Sequence, residues 1–144
     1  METYHRIVGW EGRLHRAVER FFFLPFDWGS NNCTHFAGAC VEAVIGVNPI
    51  AHLTGTYTDE AGALALLAEY GGDVEAATAR FFPRIDGPKA LARRGDLGVI
   101  DYEGRKFLAV VLGARCGVVS APGLCHFSRK HLTAAYAVGG WNNA

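Results

Sequence analysis

The stretch Pro25-Phe26-Asp27-Trp28-Gly29-Ser30-Asn31-Asn32-Cys33-Thr34-His35-Phe36-Ala37 holds a thiol where a thiol can react. Asn32 suits the cap of a helix that starts at Cys33. A cysteine in a first helical turn faces unpaired backbone N–H groups and the positive end of the helix dipole. Both stabilise thiolate and raise nucleophilicity at neutral pH. The same N–H groups can hold an oxyanion. On spacing alone, the commoner fate of a free cysteine is that of a small buried hydrophobe.

A nucleophilic thiol needs a base. His35 is two residues from Cys33, and on a helix the two side chains point to different faces. His126 falls on a late strand and His131 just after it, so a curled sheet would bring one of them to Cys33. His5, His15 and His52 fall at solvated helix or loop positions. Metal is not expected. Cys40 lies about two helical turns beyond Cys33, Cys116 and Cys125 fall on separate strands, and no CxxC or zinc-finger spacing occurs. Cys125 and His126 are neighbours on a strand and point to opposite faces. No GxxxxGK[ST] or GxGxxG follows a strand, so no phosphate loop is expected, and no cofactor is implied.

These residues must be placed by two kinds of element. From Tyr4 to about Phe82 the apolar pattern is helical. Ile7, Trp10, Leu14, Ala17, Val18 and Phe21 form one face of a first helix. Phe36, Ala37, Cys40, Val41, Val44 and Ile45 form the stripe of a second, which Gly46 stops. Thr58 or Asp59 caps a third, with Leu64, Leu67 and Ala68 as its apolar residues, and Asp73 opens a short fourth. After the turn-like Pro83–Pro88 come short β-branched runs at Leu97–Tyr102, Lys106–Leu112, Arg115–Ala121, Leu124–Ser128 and Ala134–Val138. Helices first and strands second predict an α+β fold. The expected form is N-terminal helices packed on a C-terminal antiparallel five-stranded sheet or small barrel. One domain spans 1–144, with a helical half over 1–82 and a β half over 89–139.

Composition narrows the functions. The chain has 144 residues, half of them hydrophobic, and 14 basic residues balance 14 acidic ones. Disorder is excluded, and no general pull toward nucleic acid or anionic lipid is expected. Arg93, Arg94, Arg105, Lys106, Arg115, Arg129 and Lys130 gather in the second half. They read as a solvated rim or as a docking surface for an acidic partner. The apolar runs Phe21–Phe26 and Phe107–Leu112 fall far short of a bilayer span, and the N-terminus lacks the pattern of a signal peptide. Synthesis in the cytoplasm without an export signal is expected.

The order W-G-x-x-x-C-x-x-F at a helix start, then Arg94-Gly95-Asp96 opening a strand, then a hairpin, resembles the NlpC-type papain-like cysteine peptidases. The closest likeness is to a small branch encoded in phage and prophage tail modules. It extends over Trp10-Glu11-x-Arg13-Leu14, Gly46-Val47-Asn48-Pro49, Gly55-Thr56-Tyr57, Ala92–Asp96, Leu112-Gly113 and Ala121-Pro122-Gly123-Leu124. The resemblance implies a papain-type α+β domain with Cys33 as nucleophile. It also implies a histidine base where this chain has Phe107, a tyrosine where it has Phe26, and an aspartate where it has Asn32. Phenylalanine cannot take a proton from a thiol.

The leading expectation is a phage tail-tip or tail-assembly component in the virion, built on a degenerate peptidase scaffold. It would dock to hub or distal tail proteins. The alternative is an active cysteine hydrolase that cleaves peptidoglycan stem peptides, with His126 or His131 as base. Trp28, Phe107 and Trp141 are the expected binding residues. Trp141 follows Gly139-Gly140, where tryptophan suits an interface anchor or a cap on its own domain.

Overall fold

The computed structural model describes residues 4–139. Trp141 lies outside them. Four helices precede five strands: α1 (Trp10–Phe22), α2 (Cys33–Ile45), α3 (Glu60–Glu69), α4 (Val74–Ala79), β1 (Leu97–Tyr102), β2 (Arg105–Val111), β3 (Arg115–Ser120), β4 (Gly123–Ser128) and β5 (Leu132–Tyr136).

The first helix starts at Trp10 because Gly9 takes φ 81, a left-handed turn that breaks the helical path before it. Ile7 instead donates its N–H to Val44 O at 2.9 Å, laying the entering chain along α2. Leu14, Ala17 and Phe21 form the buried face of α1. Arg13 reaches across and donates from Nε to Ala43 O at 2.9 Å and from Nη2 to Glu42 O at 3.2 Å. Ala43 O is one of the last carbonyls of α2, which the helix leaves without a partner of its own, while Glu42 O also accepts from Gly46 N at 2.8 Å. Helix α2 is apolar on nearly every side, with Phe36, Ala37, Cys40, Val41 and Val44 all buried, so it is the central helix.

The third helix is capped as predicted, and of the two expected sheet forms one is found. Asp59 does cap α3, accepting from Gly62 N at 2.7 Å. The helix has no buried residue, however, and Leu64 is 59% exposed. Its alanines and leucines are spread around the helix and give it no single face to bury. The sheet is also open, with strand order β4-β3-β2-β1-β5, and not a barrel. β4 and β5 stand at opposite edges with three strands between them.

The β1–β2 hairpin turns on Glu103 (φ 52) and Gly104 (φ 78), between the paired Tyr102 and Arg105. Two left-handed residues in a two-residue loop match the right-handed twist of the flanking strands. Both faces of the sheet are covered. Leu97, Val99, Leu108, Val110 and Tyr136 pack in the cluster shared with α1 and α2. Ile100, Ala109, Val111, Cys116 and Val118 form a second cluster with Ala92.

Asp96 ties the chain ends to the sheet. Its carboxylate is fully buried and accepts from Arg6 Nη2 at 2.9 Å, Val138 N at 3.0 Å and Arg93 N at 2.7 Å. Arg6 also donates to Arg94 O at 2.7 Å and Val138 O at 3.0 Å. Removing one member of a buried pair leaves the other charge uncompensated. Asp96→Asn is therefore expected to cost about 3–5 kcal/mol in urea denaturation. Glu60→Gln, which breaks an exposed pair with Arg105 at 3.8 Å, should cost under about 1 kcal/mol. Similar costs for the two variants would contradict this ranking.

Candidate functional site

The site is built on the N-terminus of α2. Asn32 has extended backbone, and its Oδ1 accepts from Thr34 N at 2.9 Å and His35 N at 3.2 Å. Its Nδ2 donates to Trp28 O at 2.6 Å. An aspartate here could cap the helix but could not donate, so the amide also fixes the Trp28 turn. Asp27 shapes that turn from the other side, its Oδ1 accepting from Gly29 N at 2.8 Å and Ser30 N at 3.0 Å. Cys33 is then the first residue of α2, as its type and spacing predict.

Cys33 looks onto β2. It packs against both hydrophobic clusters and so sits where the sheet opens between its faces. Its thiol faces the backbone N–H of Leu108, next to Phe107. The environment acts on its charge in opposite directions. Burial pushes the thiol above its ordinary pKa, while the Leu108 N–H, the Thr34 hydroxyl and the helix-start amides pull it back. Burial prevails over the helix start, so the thiol pKa is raised and not depressed.

An apolar cleft of about 580 Å³ opens over Cys33. Trp28 and Phe107 line it, as do Phe26, Tyr57, Leu67 and Val119. Phe26 and Trp28 meet edge to face at 5.2 Å. Among the described residues, no histidine lines it. His126 is exposed on the edge strand β4, opposite Gly117 of β3. His131 meets Tyr102 edge to face at 5.4 Å and Phe127 at 6.3 Å, away from the cleft. Neither imidazole is brought to the thiol. His126 lies on β4, two strands over from β2, and His131 follows that edge strand. His35 turns to another face, toward a groove with Arg13, Arg16 and Arg20, and burial lowers its pKa.

Sequence reasoning missed the role of Tyr57. Its buried hydroxyl stands by Thr34, Cys33 and Asn32, and burial raises its pKa. It comes from the loop before α3, and no spacing rule links position 57 to position 33. Only the fold brings them together. Cys40 and Cys116 are buried as small apolar side chains, with the Cys116 thiol pushed up to about 11 by burial. Among the described residues, no three His, Cys, Asp or Glu side chains gather as a metal site.

The raised thiols carry a sign. A group that holds its proton more tightly in the folded state contributes stability that is complete below its unfolded pKa, about 8.5 for a thiol. That stability is lost as pH climbs toward the folded values. Folded Cys33 should accordingly alkylate at pH 7.5 at least about tenfold more slowly than in urea, as read by peptide mass mapping. Faster labelling in the folded chain would mean that the helix start, and not burial, governs the thiol.

The profile of a family described as a domain of unknown function (DUF6950) matches residues 5–138. Comparison with curated proteins and with solved structures found no match.

Proposed function

The chain belongs to the DUF6950 family, and we propose that it is a binding module on an NlpC-like cysteine-peptidase scaffold without a base, working in phage tail-tip assembly. The observation that carries this reading is the company of Cys33. Phe107 stands on β2 beside the thiol, no imidazole lines the cleft, and burial keeps the sulfur protonated. General-base help contributes about 10²–10⁴-fold to such chemistry. A protonated, baseless thiol forgoes it.

Docking to hub or distal tail proteins rests on the tail-module resemblance and on an exposed apolar cluster beside the site. Phe22, Phe23 and Leu24 protrude at the end of α1, with Phe23 82% exposed. They lead directly into Phe26 and Trp28 of the cleft. Exposed aromatics of this kind are enriched at binding hot spots. Arg105 and Lys106 on the rim are paired with Glu60 and Glu75, so the rim offers little net charge to an acidic partner.

One observation favours the alternative, a hydrolase acting on peptidoglycan stem peptides. The Tyr57 hydroxyl stands near Cys33 and the Leu108 N–H near its thiol, donors of the kind that hold an oxyanion. A tyrosine whose pKa is raised is still no base at neutral pH.

Two experiments test the reading. Purified protein should release no peptide from peptidoglycan above the level of a Cys33→Ala control. Phe107→His alone should stay near that background, because Phe26 and Asn32 remain. Turnover by the unmodified protein that is lost in Cys33→Ala would promote the hydrolase.

The assembly reading predicts the protein in purified virions, at an interface burying at least about 1,000 Å² in total. Absence from virions, with normal particles forming when the gene is deleted, would refute it.

A further inference from the structure

The sheet is split beside Cys33. β2 and β3 pair only at Val110↔Gly117 and Val111↔Cys116. β2 nevertheless pairs with β1 along its whole length, from Tyr102↔Arg105 to Leu97↔Val110. β3 likewise pairs with β4 from Arg115↔Ser128 to Ser120↔Gly123. Beyond their two shared pairs, each strand thus has one edge in a ladder and one edge without a strand partner.

Strand alternation identifies the groups on those edges. Gly95 N–H donates to Val111 O and Val111 N–H donates to Asp96 O, so the odd-numbered residues of β2 bond toward β1. Lys106 and Leu108 therefore turn their N–H and C=O toward the split. The Leu108 N–H at the Cys33 thiol agrees with this. Leu112 N–H donates to Arg115 O, which turns the odd-numbered residues of β3 toward β2 and aims Val119 into the split. Lys106, Leu108 and Val119 all line the cleft. Two facing strand edges inside apolar walls form a template for main-chain hydrogen bonds.

We propose that this split receives an extended segment of a partner protein, which adds as a strand between β2 and β3 and sets alternate apolar side chains into the cleft. The inference rests on the non-catalytic reading of the same site and names its occupant. Strand addition draws affinity from the main chain and specificity from pockets for every second side chain. An alkyl chain or lipid would fill the apolar walls but leave both strand edges unbonded. The rim also suits a neutral main chain better than an anionic headgroup, because Arg105 is paired with Glu60 and Lys106 with Glu75. Helix α3 forms the wall through which a segment would enter. It has no buried residue, it lines the cleft with Leu64, Leu66 and Leu67, and its tie to β2 is the exposed Glu60–Arg105 pair. Such a pair holds the wall weakly.

The test is selection of random octapeptides on the purified chain, followed by synthesis of the enriched sequence in two forms. One is unmodified and the other is N-methylated at alternate residues, which keeps the side chains and removes the strand hydrogen bonds. The expected result is slowed amide exchange at Lys106, Leu108 and Val119 with the unmodified peptide, and at least tenfold weaker binding of the N-methylated one. The variant Ala63→Trp, which fills the cleft from α3, should weaken binding by a similar factor while leaving the circular dichroism unchanged.

Failure to enrich any peptide overturns the proposal, as does N-methylated peptide bound within twofold or protection confined to other amides. Concentration-dependent protection of the same amides without peptide also overturns it, by making a second copy of the chain the occupant. The peptide's fate separates the two readings. Intact peptide supports both. Cleavage that disappears in Cys33→Ala keeps strand addition and removes the non-catalytic reading, while absence of binding removes strand addition alone.

Discussion

A single buried carboxylate organises this fold. Asp96 receives the Arg6 guanidinium, the Val138 amide and the Arg93 amide, so one side chain joins the entering segment, the loop before β1 and the chain beyond β5. Its own backbone carbonyl takes the Val111 amide. Taking two charges out of water costs several kcal/mol per ion, which only full hydrogen bonding offsets. The arrangement supplies that bonding, with three donors on the carboxylate and Arg6 satisfied by Asp96, Arg94 O and Val138 O. Gly95 is part of the same device. It takes φ +95, and a Cβ there would stand 3.0 Å from Arg6 Nη1. The Arg-Gly-Asp step before β1 is in this sense a structural clamp.

That clamp has a consequence at the other end of β2. The strand is fixed to β1 along its length and to β3 only at Val110 and Val111, close to Asp96. Its far half, from Arg105 to Ala109, is left to part from β3, and Cys33 sits at the opening. The thiol is consequently exposed to two fields. A helix N-terminus favours an anion by about 0.3–1 kcal/mol, rising to about 2 in partly buried settings. Burial penalises the same anion, and at the half-buried Cys33 this penalty is the larger of the two effects. The comparison explains why the sulfur stays protonated although it stands at a helix start. A neighbouring imidazolium would have shifted the balance, and position 107 supplies a phenyl ring instead.

Much of this was legible in the sequence where a local rule decides. Asn32, Asp59 and Asp73 were readable as helix caps because their side chains satisfy amides two or three residues on. The five strands were legible from β-branched runs broken by glycine turns. Rules of period and composition fail where tertiary packing decides. The leucines of α3 look like core residues, yet Leu64 is exposed and its neighbours line a cleft. A run of five strands reveals neither strand order nor closure, and these decide how far His126 and His131 stand from Cys33. The place of Tyr57 beside the thiol was unreadable for a related reason. A loop residue 24 positions from the thiol is placed there by the packing of the whole molecule.

The cleft is thus a by-product of how the sheet is anchored as much as of what lines it. A sheet clamped at one end and splayed at the other must close the gap, and here α2 closes only its apex. The residues around the remaining opening fall into two groups. Asn32, with its dual donor and acceptor roles, and Leu108, with its amide at the sulfur, hold the local geometry together. Phe26, Trp28 and Phe107 contribute apolar surface and no titratable group. The first group maintains the cavity, and the second lines it with apolar surface. A fold can keep the first group for its own stability whatever becomes of the chemistry. The thiol's position at a helix start therefore says little about catalysis. The phenyl ring at position 107 says more, because the strand would accept a histidine there without any change to its ladder with β1.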